Sequence, residues 1–107
     1  MSTLLDNLRR QCDGPRDGAL LRYSLGNALL GAGDAAGAVA AFERALGFDP
    51  TYSAAWKLLG KAHLAAGAPR SAAEAWRCGI AAAGARGDKQ AEKEMTVFLR
   101  RLEKPRT

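Results

Sequence analysis

Two stretches of this chain, "RYSLGNALLGAG" (22–33) and "WKLLGKAHLAAG" (56–67), carry Leu, Gly, Ala, Leu, Ala and Gly in the same places, 34 residues apart. A period of that length constrains the fold more than any other feature. It belongs to stacked supersecondary units, each too small to bury its own apolar face. Both stretches read as helix, yet each holds a central glycine, which costs roughly 1 kcal/mol relative to alanine there. A glycine repeated at that cost predicts a contact point at Gly26 and Gly60, where any side chain would push helices apart.

The apolar spacing predicts about six helices and an all-α fold. The first, 3–12, carries Leu4, Leu5 and Leu8 and is broken by "DGPRDG". The second, 18–32, sets Leu21, Leu25, Ala28, Leu29 and Ala32 on one face. After "GD" at 33–34, with Asp34 as N-cap, the third runs 35–47 behind Val39, Phe42, Ala45 and Leu46, and "FDP" stops it. The fourth, 53–66, presents Trp56, Leu59, Ala62 and His63. "GAP" makes the next turn, with Pro69 suited to a first helical turn. The fifth, 70–83, presents Ala72, Ala73, Trp76, Cys78 and Ile80; "AGARGD" closes it, and Asp88 is placed to cap the next helix. The sixth, 88–103, puts Ala91, Met95, Phe98, Leu99 and Leu102 on one stripe and charges elsewhere. Scarce Val, Ile and Thr leave no competing strand pattern.

The repeated positions resemble the tetratricopeptide repeat (TPR), with its pattern W-x2-L-G-x2-Y, then A-x3-F, then P. The second unit supplies Trp56, Leu59, Gly60 and His63, then Ala72 and Trp76, with Gly84 at the proline position. The first supplies Arg22, Leu25, Gly26 and Leu29, then Ala38 and Phe42, with Pro50 in register. Arg22 departs from the aromatic, and Leu29 and His63 from the tyrosine. The resemblance implies antiparallel hairpins stacked as a short right-handed superhelix, with unit one at 19–52 and unit two at 53–86. An N-terminal helix and linker (1–17) and a capping helix and tail (87–107) flank them. Small residues at Gly26, Gly60, Ala38 and Ala72 would let paired helices approach. Phe42, Trp56 and Trp76 would fill the space between successive hairpins.

In that family the first helices of the hairpins line a concave, peptide-binding groove. By position, that face comprises Leu20, Tyr23, Asn27 and Leu30 from unit one and Ala54, Lys57, Lys61 and Leu64 from unit two. Ala91 and Met95 correspond on the last helix. Lys57 and Lys61, four apart, share one face and could receive an acidic or C-terminal carboxylate. A complete carboxylate clamp is not present, because Tyr23 and Ala91 stand where it would have lysines, and Ser24 and Leu58 where it can have asparagine. The alternative is an exposed lysine face with no ligand. Tyr23 suits either peptide contact or interface packing.

No residue constellation points to catalysis. His63, the single histidine, occupies a packing position, no Cys/His/Asp cluster has ligand spacing, and the serines lie in no nucleophile motif. No cofactor, metal or small-molecule substrate is implied. Cys12 and Cys78 read as reduced thiols. With no bilayer-length apolar run and no cleavable leader pattern, the chain is expected to be cytoplasmic. Heavy Ala, Gly and Arg use is that of a GC-rich bacterium. The formal charge of +5 sits largely at the ends, in Arg9, Arg10, Arg16, Arg100, Arg101, Lys104 and Arg106. That leaves nucleic-acid association as an alternative to a protein-binding scaffold, and self-association through the end helices as another.

Overall fold

Four of the six helix starts are marked by a capping side chain or a first-turn proline. A computed structural model describes residues 3–104. In it Thr3 and Asp6 form a reciprocal capping box that opens α1 (Leu4–Gln11). α2 occupies Ala19–Gly31. Asp34 accepts from the Gly37 amide at 2.8 Å to open α3 (Ala35–Phe48). α4 is Ser53–Ala65, and Pro69 occupies the first turn of α5 (Pro69–Arg86). Asp88 accepts from the Ala91 amide at 3.1 Å to open α6 (Lys89–Glu103). No strand occurs among the described residues; Arg106, one of the basic terminal residues, lies outside them.

Three helices end alike. Gly33, Gly67 and Gly87 take positive φ, and the residue after each donates back five positions, to the carbonyls of Leu29, His63 and Ala83. This arrangement satisfies carbonyls that the helix itself leaves open, and it needs the left-handed conformation that glycine adopts without strain.

Two of these ends define hairpins. α2 lies against α3 and α4 against α5; α3 joins the pairs, while α1 rests on α2 and α6 on α5. Within each hairpin an aromatic ring covers a glycine. A Cβ at Gly26 would fall within 3 Å of three Phe42 ring atoms, and one at Gly60 would meet the Trp76 indole as closely. Phe42 and Trp76 therefore seal their own hairpins, and each also reaches the neighbouring unit: Phe42 shares its cluster with Ala55 and Leu59 of α4, and Trp76 meets Met95 and Phe98 of α6. Trp56 bridges the two clusters. It packs against both the cluster around Phe42 and the cluster of Trp76, Ala83 and Met95, and its Nε1 donates to the Pro50 carbonyl at 2.8 Å.

One period earlier, Arg22 does similar work by different chemistry. Its guanidinium grips Asp17 through two nitrogens at 2.7 and 2.8 Å and reaches Asp13 at 3.2 Å, tying the α1–α2 loop down. The departure from the family aromatic thus exchanges an indole hydrogen bond for a charged clasp. The Arg22 partner holds the Asp17 carboxyl well below the usual carboxylate range, against the opposing effect of burial.

Further sequence expectations change, several of them at helix ends, where α2 (18–32 expected) also gives up Gly18 and Ala32 as caps. α1 lacks the first and last predicted residues, because Thr3 and Cys12 serve as its caps. Leu4 points outward, since only Leu5 and Leu8 reach α2's side of the helix. Cys78 is exposed rather than part of the apolar stripe. α5 continues to Arg86 because Ala81–Ala83, Ala85 and Arg86 favour helix and the left-handed residue that ends it is Gly87.

That overrun has a consequence downstream. α6 starts two residues later than a 34-residue copy of α4 would, a turn of about 200° at 3.6 residues per turn. Ala91 and Met95 consequently take the buried places that Ala55 and Leu59 hold on α4. Met95 is fully buried, its Sδ packed where a Gly79 side chain would be. The two residues do not line a groove.

Candidate peptide-binding groove

α4 and α6 face one another across a shallow channel, and the residues along it combine charged and apolar side chains. On α4 the contributors are Lys57, Lys61 and Leu64, one helical turn apart. On α6 they are Glu94, Phe98, Arg101 and Leu102, at the i, i+4, i+7, i+8 spacing of one helical face.

Lys57 is already engaged. Its Nζ lies 3.3 Å from Glu94 Oε2, with both side chains partly exposed. Lys61 is exposed and sits above the Phe98 ring, 4.8 Å from its centroid, a favourable place for a cation. Phe98 in turn packs tilted against Trp76 at 5.4 Å. Trp76 is held in place by its own hydrogen bond, Nε1 donating to the Lys57 carbonyl at 3.1 Å.

At the far end, Lys61, Leu64, Trp76, Phe98, Arg101 and Leu102 enclose an open depression of about 340 Å³. Leu64 is 44% exposed at its rim. At the near end the two helix starts are locked together, the Ser53 hydroxyl donating to Asp88 Oδ2 at 2.7 Å. That bond, with the Ala91 amide, lowers the Asp88 carboxyl below its ordinary value.

Of the six residues read from the sequence as groove positions, Lys57, Lys61 and Leu64 line this channel. The other three lie on α2. Asn27 is exposed and Leu30 half-buried against the core. Tyr23 packs: it stacks on Tyr52 at 5.0 Å and tilts against Phe42 at 5.9 Å, while burial raises the Tyr52 hydroxyl's pKa. Glu94, Arg101 and the partly exposed edge of Phe98 were not singled out as groove residues. The α6 stripe gave Phe98 and Leu102 as apolar positions, but their meeting with Lys61 depends on how α6 is rotated.

Among the described residues no group of acidic, histidine and cysteine side chains is arranged to hold a metal ion, and no helix is long and apolar enough to cross a membrane. The tetratricopeptide repeat profile matches residues 29–75. The chain is 51% identical over 104 residues to the TPR repeat-containing protein PA0015 of Pseudomonas aeruginosa, covering 97% of this chain and 99% of that one. Its fold is similar to the solution structure of protein BPP2914 from Bordetella parapertussis, with a TM-score of 0.81 at 42% identity, covering 95% of this chain and 89% of that one. It is also similar to a tetratricopeptide repeat domain protein from Salinibacter ruber, with a TM-score of 0.76 at 26% identity over 85% and 91% of the two chains. With its two glycine-sealed hairpins in 34-residue register, the chain belongs to the tetratricopeptide repeat family.

Proposed function

We propose that this protein is a cytoplasmic adaptor that holds an acidic segment of a partner protein along its concave face, as a binding module rather than an enzyme. The observation that carries the reading is the α4–α6 channel, where Lys61 and Arg101 stand beside apolar surface and have no ion-pair partner among the described residues. Cations at the rim of an apolar channel orient an anionic segment and speed its encounter, while the apolar contact supplies affinity. Lys57 adds charge wherever a partner's carboxylate displaces Glu94. Asn27 and Leu30 on α2 extend the same face toward the N-terminus.

The test is affinity capture from a lysate with the wild-type chain and with the Lys57→Glu, Lys61→Glu double variant, both checked for equal helicity. A partner captured by the wild type and lost by the variant supports the concave face. A partner held equally by both moves the working surface to the convex side or the ends.

A further inference from the structure

The depression at the far end of the channel is more selective than a basic strip. Trp76 forms its floor at 3% exposure, Phe98 and Leu102 form one wall, and Leu64 stands at the rim. Lys61 and Arg101 stand on its two sides, from α4 and α6. We propose that this depression is an anchor pocket for one large apolar side chain of a partner peptide, with carboxylates flanking that side chain received by Lys61 and Arg101. The inference rests on the concave-face reading above and supplies its specificity.

Charge complementarity selects the occupant. The free charges at the pocket are both positive, since Lys57 is paired with Glu94 and, on the outer side of Leu102, Arg77 is paired with Glu103. A second copy of this chain, with a formal charge of +5, meets the pocket with like charge. Single-stranded nucleic acid has the right sign, but it binds by stacking bases on open aromatic faces. Here the Phe98 face is covered by Lys61 and the Trp76 ring is buried. An acidic peptide with an apolar anchor satisfies both the charge and the shape.

Isothermal titration calorimetry on the full chain tests this with three probes: the hexapeptide DELFED, its counterpart DEAAED, and an octathymidylate. DELFED is expected to bind about tenfold or more tightly than DEAAED: the pocket takes one of its two large apolar side chains and leaves the other outside, and burying one such side chain implies that factor. Leu64→Glu and Arg101→Glu, both at exposed positions, are each expected to weaken DELFED about tenfold while leaving helicity unchanged. Equal affinity for the two peptides, or an Arg101→Glu variant that binds DELFED like the wild type, overturns the anchor pocket. Either result leaves the concave-face reading to stand or fall on the Lys57 and Lys61 capture experiment. No heat from DELFED up to about 1 mM also overturns it, because one buried anchor with two charge contacts should exceed that affinity. Tighter binding of the octathymidylate assigns the pocket to nucleic acid and overturns it as well.

Discussion

Gly60 and Trp76 occupy one another's space. A Cβ at Gly60 would lie 2.6 Å from Trp76 Cδ1 and nearer still to two other indole atoms, and the ring is pinned by its bond to the Lys57 carbonyl. Alanine at 60 would gain roughly 1 kcal/mol in helix propensity but must displace a rigid, buried ring. Overpacking dominates, and Gly60→Ala is expected to destabilise by about 1–3 kcal/mol. Chemical denaturation measures this. Trp76→Phe in the same chain should recover part of the loss, because the smaller ring yields space.

Gly47 gives the opposite sign. It lies within α3, at ordinary φ, and a Cβ there would meet nothing within 4 Å. Gly47→Ala should stabilise by about 0.5–1 kcal/mol. A midpoint that falls with this substitution would show that α3 is not helical at 47.

Gly87 tests the overrun of α5. At φ +78 it ends the helix and sets where α6 begins, so Gly87→Val should cost about 1–2 kcal/mol. Denaturation midpoints measure that cost. No loss at equal helicity would mean that the turn tolerates another geometry, and amide exchange in the first turn of α6 would then show whether the Asp88 cap survives.

Acid should loosen the α1–α2 loop. The Asp17 carboxyl is held below the ordinary carboxylate range chiefly by its hydrogen bond to Arg22. Below about pH 4 the unfolded chain takes up this proton while the folded chain resists it, so stability falls with pH until the folded group also titrates. Asp17→Asn should lower stability at pH 7 and flatten the acid limb between about pH 4 and 2. Denaturation midpoints across that range report the slope, and an unchanged slope would remove Asp17 from the account.

Glu94 restrains the concave face. Its ion pair with Lys57 is partly exposed and so contributes at most about 1 kcal/mol to folding. Glu94→Gln should leave the melting temperature nearly unchanged and strengthen DELFED binding severalfold, because Lys57 is then unpaired. Weaker binding on this substitution would mean that Glu94 itself contacts the ligand.

Much was legible in the residues. The 34-residue period set the hairpin count, and Asp34, Pro69 and Asp88 marked helix starts that form where they stand, because capping is chemistry within one turn. Gly26 and Gly60 announced close contacts through their propensity cost alone. Which ring would fill each contact was not legible, since periodicity gives a residue's face and not the helix it meets. The channel shows the same limit. Lys57, Lys61 and Leu64 could be placed on one face of α4 from spacing, but their partners come from α6. The rotation of α6 depends on α5 running to Arg86 before Gly87 turns the chain. That extra turn buried Met95 and brought Glu94, Phe98 and Arg101 to the lysines. A sequence period records the average geometry of a stack, whereas the side chains that meet across it depend on where each helix stops, and here packing and one left-handed glycine decided that.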